Sequence, residues 1–336
     1  MIRAGVVGVG SMGRNHARVW SELSDVTLVG VADTDEVARE QVRKRFRVPV
    51  FGDLQQLLLE CRPDVVSIAV PTNAHAAIAS LAIAAGVHVL VEKPIASTKQ
   101  EAKALIHEAR ARGVVFAVGH IERHNPAVVE LKRRLDSGAL GRVLYIEARR
   151  WSPYPERIGD VGVALDLATH DVDVMRFLTG SEVVSICGGR VIRVSGRNED
   201  LVIAVLSFGN GVLGLIDSNR ITPTKTRELT VLGEDGMARV DYLLQDLSMY
   251  QNGAGAAKET DWDSLRVFKG VSEGEMLKVG IERQEPLRLE LEAFIRAVRG
   301  DTASVHMASG EDGLAALDVV LQVLEACAPV ESIGGF

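Results

Sequence analysis

Residues 2–13 read Ile2-Arg3-Ala4-Gly5-Val6-Val7-Gly8-Val9-Gly10-Ser11-Met12-Gly13. An apolar run of strand character enters G-x-G-x-x-G and leaves it as a helix-type pattern. The six-residue motif alone is weak. Asp33, 20 residues after Gly13 and at the end of a second apolar run, makes it specific. In this reading Gly8 permits a tight turn, Gly10 lets the backbone approach a pyrophosphate, and Gly13 lets the helix close on the strand. Ser11 and Met12 begin a helix whose N-terminal N–H groups face the phosphates. Asp33 accepts from the adenosine ribose and repels a 2′-phosphate. Thr34 and Asp35 bring no arginine to reverse that, so NAD is expected rather than NADP.

Outward from this motif the rhythm persists for about 120 residues. Strands are expected at 2–9, 27–32, 65–70, 87–91 and 114–119, with helices at 12–23, 35–46, 53–60, 75–85 and 99–112. Uninterrupted Val/Ile/Leu runs between helices imply parallel strands covered on both faces. After Ile121 the pattern changes. A helix at 126–137, a strand at 142–151 and a helix at 164–178 precede strands at 183–194, 201–208, 211–219, 227–232, 237–242 and 247–250. Helices at 287–299 and 311–326 follow. The expected architecture is α/β: a doubly wound parallel domain over 1–121, then an α+β domain over 122–336 with a large, mostly antiparallel open sheet. A closing helix is left open to pack back on the first domain. Residues 252–258 read as a flexible loop.

Composition narrows the function. A net charge of −7 without like-charge blocks, and 4% aromatic residues, argue against a nucleic-acid surface. Cys61, Cys187 and Cys327 lie far apart, as in a reduced, cytoplasmic protein. The most apolar long window, 76–91, is too short to span a bilayer. His120 and His124 have no further ligand in sequence, so no metal is expected. Residues 201–206, Leu-Val-Ile-Ala-Val-Leu, are apolar at every position where a half-exposed strand alternates. One sheet face is therefore expected to pack on another copy, with a strand covered locally as the alternative.

Two stretches carry chemistry. Val89-Leu90-Val91 ends abruptly in Glu92-Lys93-Pro94, where a doubly wound sheet binds its ligands. Asp166 and His170 stand at i and i+4 and share a helix face. Together with the glycine loop, and in this order, E-K-P and D-x-x-x-H resemble the glucose–fructose oxidoreductase/inositol dehydrogenase (Gfo/Idh/MocA) family over essentially the whole chain. The resemblance implies a Rossmann domain followed by a domain whose open sheet assembles oligomers. It implies that Lys93, Asp166 and His170 form the catalytic group and that Pro71, Thr72, Asn73, His75 and Glu92 line the nicotinamide side. The implied reaction oxidises a secondary alcohol of a sugar or cyclitol with NAD. An ordinary imidazole titrates near ~6.5 and an ordinary lysine near ~10.4, so His170 is read as the base and Lys93 as the cationic donor. Asp166 orients His170 or the substrate hydroxyl.

Residues 119–126, G-H-I-E-R-H-N-P, and 149–158, R-R-W-S-P-Y-P-E-R-I, resemble a branch of the family acting on C3 of a UDP-linked N-acetylhexosamine. His124 and Trp151 depart from that branch, where an aromatic and a smaller residue are expected. Arg123, Arg149 and Arg157 either clamp a substrate diphosphate or pair with local carboxylates such as Glu122, Glu147 and Glu156. Asn125 and Tyr154 complete the expected substrate contacts. A free cyclitol or sugar substrate, and a non-catalytic NAD-binding regulator, are the alternatives.

Overall fold

The structure, a computed structural model, describes residues 1–154, 161–194, 196–253, 273–301 and 306–329. Arg157, Glu156 and residues 254–258 lie outside the described residues. The chain forms two compact units. The first comprises Met1–His124 and Gln284–Val319, the second Asn125–Arg283 and Val320–Phe336.

In the first unit, strands β1 (Ile2–Val7), β2 (Val26–Ala32), β3 (Val50–Phe51), β4 (Val65–Ile68), β5 (His88–Glu92) and β6 (Phe116–Gly119) form one parallel sheet in the order β3-β2-β1-β4-β5-β6. Helices α1 (Ser11–Glu22), α2 (Glu36–Phe46), α3 (Leu54–Cys61), α4 (Thr72–Ala84) and α5 (Lys99–Arg112) connect them. Caps set where helices begin. Asp35 accepts from Val37 N and Ala38 N, Asp53 accepts from Gln56 N, and Thr98 and Glu101 cap each other reciprocally. Each such cap contributes about 1 kcal/mol. The strand order reverses between β1 and β4, which opens a crevice beyond their carboxyl ends.

The segment Gln284–Val319 also belongs to this unit. Leu287, Leu291, Phe294 and Ile295 of α8 (Pro286–Val298) join Trp20, Val6 and Val31 in one buried core. This helix falls in the expected second domain, 122–336, with a closing helix left open to pack back on the first domain. Its amphipathic face states that it needs an apolar partner but not which one.

The second unit holds α6 (Pro126–Asp136), α7 (Thr169–Thr179) and a mixed sheet. Its strands are β7 (Val143–Trp151), β8 (Val183–Val191), β9 (Leu201–Phe208), β10 (Leu213–Asn219), β11 (Thr226–Gly233), β12 (Gly236–Asp241), β13 (Asp246–Asn252), β14 (Glu273–Val279) and β15 (Ala328–Pro329). Their order is β14-β13-β12-β11-β7-β10-β9-β8-β15, antiparallel except at β7/β10 and β8/β15. A ninth helix, α9, spans Gly310–Ala326.

Strand parity sorts the sheet's two faces. Ile146, Ala148 and Arg150 of β7, and Val202, Ala204 and Leu206 of β9, are buried on the face that carries α7. Arg150 grips Asp171 of α7 by Nε at 3.0 Å and Nη2 at 2.9 Å, both side chains 1% exposed, and stacks over Tyr242. Removing one partner of such a buried pair strands the other charge, which costs roughly 3–5 kcal/mol. Asp171→Ala is therefore expected to lower unfolding free energy by about that amount in urea titrations. A loss under about 1 kcal/mol contradicts this account.

Candidate functional site

The cofactor-binding side is built on the first unit. Gly8 adopts φ +83°, and a Cβ there would lie 2.6 Å from Ala69 O. At Gly13 a Cβ would lie 1.7 Å from Gly8 O, so α1 packs directly on the turn. At Gly10 a Cβ would meet nothing within 4 Å. Gly10 faces open space, and Gly8, Gly10, Asp33, Asp53, Val70 and Pro71 line one groove of about 530 Å³. A turn closed behind and open in front at Gly10, beside the N-terminus of α1, fits a dinucleotide pyrophosphate. Ser11 is exposed at the start of α1, while the Met12 side chain packs on the core.

The Asp33 carboxylate braces the loop from the side. Oδ2 accepts from Val9 N at 2.6 Å and Oδ1 from Asp35 N at 2.8 Å. A carboxylate has lone pairs for further donors, so ribose recognition is compatible with both bonds. An arginine does reach this turn. Arg39 Nη1 donates to the carbonyls of Asp33 and Thr34, which employs it on the backbone.

At the ends of β4 and β5 the predicted residues divide. Pro71 lines the groove, with Thr72 and Asn73 opening α4 beside it. His75, expected on the nicotinamide side, is 1% exposed, with Nδ1 2.8 Å from Pro94 O and Nε2 2.9 Å from Val70 O. Burial pushes its imidazole below the ordinary range. The Glu92 carboxylate is turned toward His16, with Oε1 2.9 Å from Nε2. Burial alone would raise its carboxyl. The His16 hydrogen bond and the adjacent Lys93 charge outweigh that and hold it below the usual carboxylate range. Lys93 is half-buried between Glu92 and Pro94.

In the second unit Asp166 sits in a π-turn, Ala164–Ala168, that runs into α7. Such turns widen the helix and free carbonyls. Here Thr169 Oγ1 donates to Leu165 O at 2.8 Å and Ala164 O at 3.3 Å. Asp166 and His170 stay half-exposed, while Thr169, Asp171, Val172 and Asp173 around them are buried. The start of the turn is pinned by residues that sequence reading missed. Glu199 Oε1 accepts from Ala164 N at 2.9 Å, and Arg220, paired with Asp200, donates to Val161 O. A charged residue interrupting an apolar strand boundary, Glu199-Asp200, was the available signal.

Of the residues expected to contact a sugar nucleotide, Arg123, Asn125, Arg149 and Tyr154 lie among the described residues. Arg149 pairs with Glu147 at 3.0 Å and Glu228 at 3.6 Å and stacks on Trp151. Strand alternation puts it on the sheet face opposite Arg150 and α7, so the local-carboxylate alternative holds for Arg149. Arg123 is 5% exposed and pairs with Asp312 at 3.1 Å. Asn125 caps α6 through Ala127 N and donates to Tyr242 O, which makes it a structural joint. Tyr154 is exposed and stacks on Arg220.

A Rossmann unit with a dinucleotide groove, joined to an open-sheet unit, defines an NAD-binding oxidoreductase. The chain matches the model of the oxidoreductase family with NAD-binding Rossmann fold over residues 2–120, and the GFO/IDH/MocA C-terminal domain over 128–239. It is 33% identical to UDP-N-acetylglucosamine 3-dehydrogenase of Acidithiobacillus ferrooxidans, over 98% of both chains. A solved structure of that dehydrogenase superposes with a TM-score of 0.85, covering 97% of each chain. Myo-inositol 2-dehydrogenase of Thermotoga maritima is 27% identical over 94% of this chain and 93% of its own. The chain belongs to the GFO/IDH/MocA oxidoreductase family. Among the described residues no group of His, Cys, Asp and Glu suits a metal, and no helix is long and apolar enough to cross a membrane.

His124, where an aromatic residue was expected, is 4% exposed. Burial pushes its imidazole down to about 3, and His306, Arg123 and Arg296 act in the same direction. In the unfolded chain a histidine takes a proton near ~6.5. Below that pH the unfolded state binds a proton that the folded state refuses, so stability falls on acidification toward 3. At about pH 4.5 the loss from this group is on the order of 2–3 kcal/mol. His124→Phe is expected to flatten the pH dependence of urea stability between about pH 6.5 and 4. A profile parallel to wild type removes His124 as the cause.

Proposed function

We propose that this protein is an NAD-dependent dehydrogenase oxidising the C3 hydroxyl of a UDP-linked N-acetylhexosamine. The observation that carries the substrate is the 33% identity to UDP-N-acetylglucosamine 3-dehydrogenase over 98% of both chains. Gly8, Gly10, Gly13 and the N-terminus of α1 hold the pyrophosphate, Asp33 the ribose, and Pro71, Thr72 and Asn73 the nicotinamide side. NAD, when bound, supplies the hydride acceptor. His170 takes the hydroxyl proton, Lys93 stabilises the developing alkoxide by its charge, and Asp166 orients the imidazole or the substrate. Tyr154 and Arg157 remain the proposed contacts to the nucleotide portion. Incubation with NAD and a panel of UDP-sugars, free sugars and inositols tests the reading. Reduced nicotinamide is expected with UDP-N-acetylhexosamines. Turnover of inositols alone instead supports the cyclitol alternative, which the myo-inositol 2-dehydrogenase likeness favours. Lys93→Met and His170→Gln are each expected to lower kcat at least about 100-fold while NAD affinity stays unchanged. Wild-type turnover in either removes that residue from the mechanism.

We further propose that the protein is cytoplasmic and assembles through the open sheet face. Ile203, Val205, Leu213 and Leu232 are 36–47% exposed there, beside the Glu147–Arg149–Glu228 charges. That mixture of apolar and paired charged surface suits a second copy of the same face. Light scattering is expected to give a dimer or tetramer, and Val205→Glu with Ile203→Glu a monomer. A monomeric wild type sinks the assembly.

A further inference from the structure

Lys93 sits between two residues that are each gripped by a buried histidine from a different helix. On one side His16, from α1 and 1% exposed, holds the Glu92 side chain through Nε2 at 2.9 Å. On the other His75, from α4 and also 1% exposed, holds the Pro94 carbonyl through Nδ1 at 2.8 Å.

In the neutral, Nε2-protonated tautomer of His16 the hydrogen-bond chain behind it runs in one direction. Trp20 Nε1 can only donate, and it reaches Ser67 Oγ at 2.9 Å. The Ser67 hydroxyl then offers its own proton to His16 Nδ1, 3.1 Å away. That leaves Nε2–H to donate to the Glu92 carboxylate. Every polar atom in this buried chain is matched, a condition under which such networks become rigid. Gly119 completes the fit: a Cβ there would lie 3.1 Å from Glu92 Cδ. On the other side His75 lies between two carbonyls, Pro94 O at Nδ1 and Val70 O at 2.9 Å from Nε2, and the tautomer protonated on Nδ1 gives its one N–H to the turn after Lys93.

We propose that His16 and His75 are positioning residues forming a two-point brace that fixes Lys93, His16 through Glu92 and His75 through Pro94. Both histidines are buried at 1% exposure. The brace rests on Lys93 being the catalytic lysine. It adds that α1, whose N-terminus carries the pyrophosphate site, and α4, which flanks the nicotinamide side, jointly set where the lysine stands.

The test uses His16→Leu, His16→Gln, His75→Leu and Lys93→Met in the full chain. Read out are kcat and KM with the sugar substrate, NAD affinity by calorimetry, and hydrogen exchange of peptides covering 88–98. His16→Leu and His75→Leu are each expected to lower kcat at least tenfold with NAD affinity within threefold. Exchange at 92–96 should speed up at least tenfold while β1 and β2 stay protected. His16→Gln, whose amide can both accept from Ser67 and donate to Glu92, should recover most of kcat. Should His16→Leu fail to fold, Ser67→Ala is read in the same way, with at least threefold effects expected. Wild-type kcat and wild-type exchange in the leucine variants overturn the brace. Wild-type turnover in Lys93→Met instead overturns the catalytic reading, and the exchange data then decide the brace alone.

Discussion

A missing Cβ sets the geometry of the first unit. Because Gly13 carries no side chain, α1 lies against the Gly8 carbonyl, closer than any other residue type permits. That contact fixes the path of α1 over the sheet. One turn later the helix delivers His16, and another turn later Trp20, to the same hydroxyl on β4. The glycine loop is usually understood as a phosphate cradle. Here it also orients the helix whose buried side reaches Glu92 at the end of β5.

The parallel sheet was legible because its strands are buried on both faces and carry apolar residues without interruption. Strand ends at residues 32 and 119 and the helix at 99–112 fall where the pattern changes. What escaped the pattern escaped for physical reasons. β3 is two residues long and has no periodicity to detect. β14, Glu-Gly-Glu-Met-Leu-Lys-Val, lies at the sheet's edge, where charged residues guard the open backbone and dilute the apolar signal. The π-turn at 164–168 looks helical in sequence because its extra residue preserves the apolar stripe. The backbone bond from Thr169 N–H to Ala164 O, five residues back, reveals it.

Candidate site residues were less legible than the fold, since residue type does not reveal whether a polar group faces a ligand or its own backbone. The family resemblance implies His75 on the nicotinamide side. It lies in the first turn on the buried side of α4, its ring between two carbonyls of which a neutral imidazole serves one. His16 carried a usable signal that was passed over. It shares the core face of α1 with Gly13, Ala17 and Trp20, and a polar side chain on such a stripe must find buried partners.

Arg149 and Arg150 show how sharply backbone geometry overrides composition. The two guanidinium groups are adjacent in sequence and chemically identical. Side chains of a strand alternate, so the one on the core face is sealed at 1% exposure against Asp171 and Tyr242, and the other joins surface carboxylates across β11. Arg150 therefore anchors the helix that presents His170, and its cost of removal is the cost of an orphaned buried charge. Arg149 sits in water-accessible pairs that contribute little to stability. Its place is the open sheet face, opposite α7. Two neighbouring arginines thus divide into a fastening for the candidate catalytic helix and a member of the charge pairs on the open sheet face.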